Sequence, residues 1–360
     1  MAQDLKKNYR AVYHIGKGTL VQLADKELPN LQLANEGDGD LALLSTTTPY
    51  SLSSMWEGRT RSDYYTVNVE TGARKALATA DYGRYRLSPA GKYAYWYGET
   101  DSCWYTRSMA DGTLYRLTTP QTFAAWDVLN DVPDYPRSYG AAGWTADDKA
   151  LLLYDQYDLW QFDPEGAKAP VNLTKDGRTA KRYYHQVALD KEARTIDLSQ
   201  PQLLVAFDEV TKGYAYYEAR LDGKSTPKKL IGGDYMLRTI EKAKNTNDVI
   251  YTIENYAQYP DLHHSTTAFK QSVKLTDGIA QQGKYTWGTA EGVIYKPANF
   301  DPNKKYPLIV NFYEKNSETL NNYRMPEPHR STIDYHYYNS NGYVVFNPDI
   351  HYRDGYPGES

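Results

Sequence analysis

The feature that most limits the fold is a unit that recurs along most of the chain. Residues 86–119, "RLSPAGKYAYWYGETDSCWYTRSMADGTLYRLTT", and residues 143–177, "GWTADDKALLLYDQYDLWQFDPEGAKAPVNLTKDG", share one layout. Each has a turn ending in lysine (Lys92, Lys149) and then an alternating run over 93–97 or 150–154. An aromatic run follows, around Trp104-Tyr105 or Trp160 and Phe162, and then an Asp/Gly turn. Each closes on Leu-Thr, at Leu117-Thr118 and Leu173-Thr174, 56 residues apart. Weaker copies span 62–77, 213–230 and 248–278. Thr71-Gly72 and Asp222-Gly223, set between alternating apolar residues, are hairpin signals. The pattern predicts about five small antiparallel sheets. One such sheet is marginal alone because one face stays wet. Stacking the sheets as propeller blades covers those faces and leaves only short edges. A mainly β fold is therefore expected, a β-propeller short by one or more blades at its start. A β-sandwich with chance internal similarity is the competing architecture.

Composition agrees with strands. There are 36 Tyr against 7 Phe, and tyrosine suits a pleated, half-buried surface. A net charge of −4, from 41 basic and 45 acidic residues, points away from nucleic acid and anionic membranes. No apolar run approaches the roughly 20 residues that span a bilayer. Cys103 is the sole cysteine, so no internal disulfide or Cys-x-x-Cys site exists, and a small buried residue beside Trp104 is its expected role. The opening "MAQDLKKNYR" has no apolar core, so no signal peptide is read there.

From Ala290 the texture changes. "EGVIYKPANFDPNKKYPLIVNFYEKN" predicts a strand at 292–295, a Pro/Asn/Asp loop, and a second strand at 307–313. The second run is nearly continuous apolar, as strands buried on both faces are. "HRSTIDYHYYNSNG" (329–342) predicts a helix capped by Ser331 or Thr332, with Ile333 and Tyr337 on one face and Gly342 at the stop. "YVVFNPD" (343–349) reads as a third strand. Strand, helix, strand implies a parallel pair joined by a crossover. The expected division is residues 1–284 for the blades and 285–360 for the start of an α/β domain.

These stretches, together with the blade "WTADDKALLLYDQYDLWQFDP", resemble the prolyl oligopeptidase family of serine peptidases, closest to its exported bacterial dipeptidyl and acylaminoacyl peptidase subgroup. The resemblance implies a propeller that restricts access to an α/β-hydrolase domain, peptide substrates, acyl-enzyme chemistry, no cofactor and no metal. It implies an exported, periplasmic-type location. It also implies that the nucleophile, acid and histidine lie downstream of this stretch, in the order Ser, Asp, His. The 360 residues are then expected to be a fragment, inactive alone, whose α/β part is completed by a second chain or accompanied by other copies. The segment between Trp287 and Gly292 is shorter than the family's, which has a further strand and turn there.

The residues themselves agree with a missing triad. No Gly-x-Ser-x-Gly elbow occurs. Gly358-Glu359-Ser360 is a decoy, because "HYRDGY" rather than a buried strand precedes the serine. His263-His264 would point to opposite faces of a strand and could not chelate together. His336 and His351 lie upstream of a triad histidine's place. Asp147-Asp148 fits a blade turn, and neither it nor Asp208-Glu209 resembles the Glu-Glu pair that dipeptidyl peptidases use for a substrate amine. By resemblance, one residue carries chemistry: Tyr313, at the end of the second α/β strand, would donate its hydroxyl to the oxyanion of the tetrahedral intermediate. The competing reading is a non-catalytic propeller binding module with an α/β docking appendage.

Overall fold

The computed structural model describes residues 6–34, 37–256, 258–278, 289–291, 294–313, 316–325, 327 and 333–349. A two-stranded ribbon comes first, β1 (Ala11–His14) and β2 (Thr19–Gln22). Five four-stranded antiparallel sheets follow among the described residues. The first is β3 (Asn30–Leu33), β4 (Leu41–Thr46), β5 (Ser62–Asn68) and β6 (Arg74–Asp81). The second is β7 (Arg86–Leu87), β8 (Tyr93–Gly98), β9 (Cys103–Ser108) and β10 (Leu114–Arg116). The third is β11 (Ala141–Trp144), β12 (Leu151–Tyr154), β13 (Leu159–Phe162) and β14 (Val171–Asn172). The fourth is β15 (Arg182–Gln186), β16 (Gln202–Asp208), β17 (Tyr214–Ala219) and β18 (Lys228–Gly233). The fifth is β19 (Met236–Lys242), β20 (Asp248–Asn255), β21 (Gln258–Thr266) and β22 (Val273–Lys274). In every sheet the strands pair in chain order, as in propeller blades. A last sheet holds β23 (Thr289–Glu291), β24 (Ile294–Lys296), β25 (Leu308–Val310) and β26 (Val344–Phe346), in the order β23-β24-β26-β25. The fold is thus a β-propeller array followed by the start of an α/β sheet.

The chain divides into two compact units. One comprises Met1–Asn130, Asp134–Asn172 and Arg194–Asp197; the other comprises Asp131–Pro133, Leu173–Ala193 and Leu198–Ser360. The expected passage at 284/285 lies outside the described residues.

Within each unit the blades bury their faces on one another. Leu43 and Tyr64 of the first blade pack with Tyr85, Leu87, Ala94 and Trp96 of the second. Tyr97 and Trp104 of the second pack with Trp144, Leu151, Leu153 and Phe162 of the third. In the other unit, Leu203 and Tyr216 meet Leu237, Val249, Tyr251 and Phe269. Removing this apolar area from water is the main favourable contribution a sheet of this size can gain.

The Asp/Gly turns repeat in detail. In the β5–β6, β9–β10 and β16–β17 hairpins, an amide closes onto the carbonyl four residues back: Gly72 to Asn68 (2.8 Å), Gly112 to Ser108 (2.9 Å) and Lys212 to Asp208 (2.8 Å). The donor is left-handed each time, with φ of 72°, 80° and 60°. Glycine adopts this freely, whereas Lys212 does so at a cost of about 1 kcal/mol. Asp208 belongs to this turn, its carboxylate accepting the Val210 and Thr211 amides, both at 3.0 Å.

Asp148 ties one blade to the next. It is 2 % exposed and accepts from Ser88 Oγ (2.5 Å), Ala90 N (3.0 Å) and Lys92 N (3.1 Å). Its partners form the turn of the second blade, and Asp148 itself stands in the matching turn of the third. Asp148→Ala strands three donors and is expected to cost about 2 kcal/mol. A urea titration should show a lower midpoint at unchanged slope; an unchanged midpoint would remove this tie from the account.

Cys103 is fully buried with a free thiol, as expected. Arg116 donates to its sulfur at 3.0 Å, and burial pushes the thiol's pKa up, which disfavours the nucleophilic thiolate.

Candidate active site

The last sheet carries the position at which the sequence reading places a site. β25 and β26 run parallel, with Leu308, Ile309 and Val310 opposite Val344, Val345 and Phe346. The helix Tyr335–Ser340 lies between them in sequence and makes the crossover. It is shorter than the 329–342 expected. Asp334 caps it, its carboxylate accepting the Tyr337 amide at 3.1 Å. The expected caps, Ser331 and Thr332, lie outside the described residues. Gly342 ends the helix as predicted, at φ 82°. Its amide reaches the Asn339 carbonyl and the Tyr343 amide reaches the Tyr338 carbonyl, both at 3.0 Å, the paired closure of a Schellman motif.

The second predicted strand needs correction. β25 covers Leu308–Val310 only, and it is not buried on both faces: Leu308 is 57 % exposed and Val310 46 %. It is the outer strand of its sheet among the described residues, and only Ile309 of its three side chains packs against the buried cluster beneath. A continuous apolar run alone does not fix how a strand is covered.

The strand Thr289–Glu291 occupies the short stretch after Trp287 and forms a hairpin with β24. Trp287 and Gly292 themselves lie outside the described residues, as do His329, His351 and Ser360. Tyr313 is described, three residues past β25, and is 80 % exposed. It therefore sits at the carboxyl end of the parallel pair, where ligand sites of α/β sheets form.

Two ties hold the loops at that end, and sequence reasoning missed both. Asn311 and Asn347 each follow directly on a strand, and the register sets them side by side. Both donate through Nδ2 to the Tyr335 hydroxyl, at 2.8 and 3.1 Å. Asp349 Oδ1 accepts the amides of Asn316 (2.6 Å) and Ser317 (2.7 Å), linking the loop after β26 to the loop after β25. Burial pushes the Asp349 carboxyl up, but the bonds from Ser317 and Asn316 more than offset this and hold it below the ordinary range. The legible signal was the repeated strand ending, Val310-Asn311 and Phe346-Asn347.

Beneath the pair, Tyr256, Tyr295, Tyr335 and Val345 form a buried cluster. Asn339, fully buried, donates to the Tyr295 carbonyl at 2.9 Å and the Tyr343 carbonyl at 3.1 Å. His336, 8 % exposed, stacks on Tyr256 with centroids 5.3 Å apart. Its Nε2 lies 2.7 Å from the Arg324 carbonyl, which only accepts, so Nε2 carries the proton. Burial holds its pKa below the ordinary histidine value. Below about pH 6.5 the unfolded chain then binds the extra proton first, so stability falls as pH drops from 7 toward 5, by at most about 1.4 kcal/mol per pH unit. Urea midpoints at pH 7.5 and 5.5 should show a smaller drop for His336→Phe than for the unsubstituted chain. Equal drops would assign the acid sensitivity to other groups.

His263 and His264 take separate partners. His263 Nδ1 lies 3.2 Å from Ser272 Oγ, and His264 Nε2 lies 2.9 Å from Asp248 Oδ1. These are the cross-strand roles expected of adjacent residues on one strand.

The fold has a counterpart among solved structures. The chain aligns with a prolyl endopeptidase at a TM-score of 0.52 and 12 % identity, over 97 % of this chain and 51 % of that one. It thus spans about half the length of that enzyme. It is also similar, more distantly, to Porphyromonas gingivalis dipeptidyl peptidase 4 (TM-score 0.36, 16 % identity, 95 % of this chain and 68 % of that one). Pyrococcus horikoshii acylaminoacyl peptidase matches at a TM-score of 0.30 and 12 % identity, over 86 % of this chain and 63 % of that one. No protein-family model matches the sequence, and no curated protein matches it. The chain thus shares its fold with a prolyl endopeptidase, a propeller-bearing architecture of the kind the sequence led one to expect.

Proposed function

We propose that this chain is the recognition propeller and opening α/β strands of a serine peptidase of the prolyl oligopeptidase type. The observation that carries the reading is the parallel pair β25–β26, preceded by blades, with Tyr313 exposed at its carboxyl end. In this reading the Tyr313 hydroxyl donates to the oxyanion that forms when a serine attacks a peptide carbonyl. The serine, its histidine base and the orienting carboxylate come from residues outside this chain. The substrates are peptides, and the blades limit which of them reach the site. The exposed face of β25 is covered by the remaining strands and helices of the hydrolase layer, carried by the same polypeptide or by a second chain. In this reading the parent protein works outside the cytoplasm, as the resemblance to exported peptidases implies.

The test reads the source gene past codon 360 and assays its full product beside this chain. The full product should hydrolyse peptide p-nitroanilides and be labelled by a fluorophosphonate, and this chain should do neither. Labelling of this chain, or a gene with no hydrolase continuation, would overturn the proposal in favour of a binding module.

A further inference from the structure

A second site, independent of the hydrolase reading, lies wholly within the unit that holds the first three blades. A polar pocket of about 370 Å³ opens where the β4–β5 connection, the link from β6 to β7 and residues 134–137 come together. Three arginines line it: Arg59, Arg84 and Arg137. Arg59 is the built part. Its side chain is 16 % exposed, paired with Glu99 Oε2 at 3.4 Å and with Asp134. Its guanidinium also lies 5.4 Å from the Tyr82 ring centre and 4.4 Å from that of Tyr135. Arg84 and Arg137 are exposed, and among the described residues no carboxylate pairs with either. Two planar forks thus belong to the lining while its two carboxylates, Glu99 and Asp134, pair with Arg59.

The charge balance selects the ligand. Three arginines share the lining with two carboxylates, Glu99 and Asp134, which leaves a single net positive charge there. A monoanion neutralises it. A dianionic phosphate would bring a second negative charge toward those two carboxylates, where like charges repel. The volume fits a terminal residue or two rather than a cofactor, and the tyrosine rings offer apolar walls to a side chain beside the charge. We propose that this pocket binds the C-terminal carboxylate of a peptide, held by Arg84 and Arg137 over the fixed Arg59.

Calorimetric titration of this chain tests it with three probes: a free-acid tetrapeptide of small and aromatic residues, the same peptide with an amidated C-terminus, and inorganic phosphate. The free acid should saturate below about 10 mM, and amidation should weaken it about tenfold or more, the scale of charge-assisted hydrogen bonds. Arg84→Gln and Arg137→Gln should each weaken the free acid by about tenfold and leave far-ultraviolet circular dichroism unchanged, because both side chains are exposed. No saturation by the free acid, equal binding of acid and amide, or unaltered affinity in both variants overturns the proposal. Phosphate binding tighter than the free acid overturns the carboxylate assignment. None of these outcomes depends on hydrolysis, so failure here is distinguishable from failure of the peptidase reading.

Discussion

Tyr313→Phe, made in the full-length protein, is expected to lower kcat about 10²- to 10³-fold with little change in KM. The substitution keeps the ring and removes only the donor, so the loss reports an interaction that exists in the transition state and not in the bound substrate. The scale is that of one oxyanion donor, about 3–4 kcal/mol. The structure adds a companion control. Asn311 and Asn347 hold the two loops through Tyr335, so Tyr335→Phe should disturb the site through position rather than chemistry, with a smaller loss that falls on KM as well as kcat. Steady-state kinetics on a peptide p-nitroanilide separates the two variants. An unchanged kcat for Tyr313→Phe would show that the tyrosine is simply exposed, and the peptidase reading would lose its catalytic residue in this chain.

Trp144→Ala should be the most damaging single change to stability, at about 4 kcal/mol. Trp144 is 1 % exposed. Its ring stacks on Tyr93 with centroids 5.8 Å apart and meets Tyr95 edge-on at 5.3 Å. It lies in the cluster shared by the second and third blades, so its loss opens a cavity between two sheets that depend on each other for burial. Among the described residues its indole nitrogen has no hydrogen-bond partner. Trp144→Phe therefore deletes an unsatisfied donor along with part of the ring, and should cost only about 1–2 kcal/mol. Urea denaturation followed by circular dichroism gives both values. An Ala cost below about 1 kcal/mol would mean that the shared aromatic cluster is not what holds these blades together.

The resemblance between residues 86–119 and 143–177 located two blades nearly to the residue, because strand alternation and Asp/Gly turns are local properties of the chain. The parallel pair was legible for the same reason: apolar runs flanking a helix that ends on Gly342 leave few alternatives. The helix start was not, since Asp334 competes with Ser331 and Thr332 as a cap and only the fold decides among them. The Asn311–Tyr335–Asn347 tie was equally hidden, because its members are brought together only by the register of β25 against β26.

The arginine pocket shows the same limit. Arg59, Arg84 and Arg137 are far apart in sequence and look like ordinary surface charges there. Pairing of Arg59 with Glu99 and Asp134 is a contact between separate loops, and no local pattern encodes it.

Taken by itself, the order of residues determined strand alternation, turn chemistry and the change from antiparallel repeats to a parallel pair, since each depends on neighbours a few residues away. Tertiary structure alone decided which blade faces bury one another, that Leu308 and Val310 of β25 are exposed at the sheet's outer edge, and which polar groups meet. Those outcomes depend on side chains from distant segments competing for the same space, and that competition is settled only when the whole chain has packed.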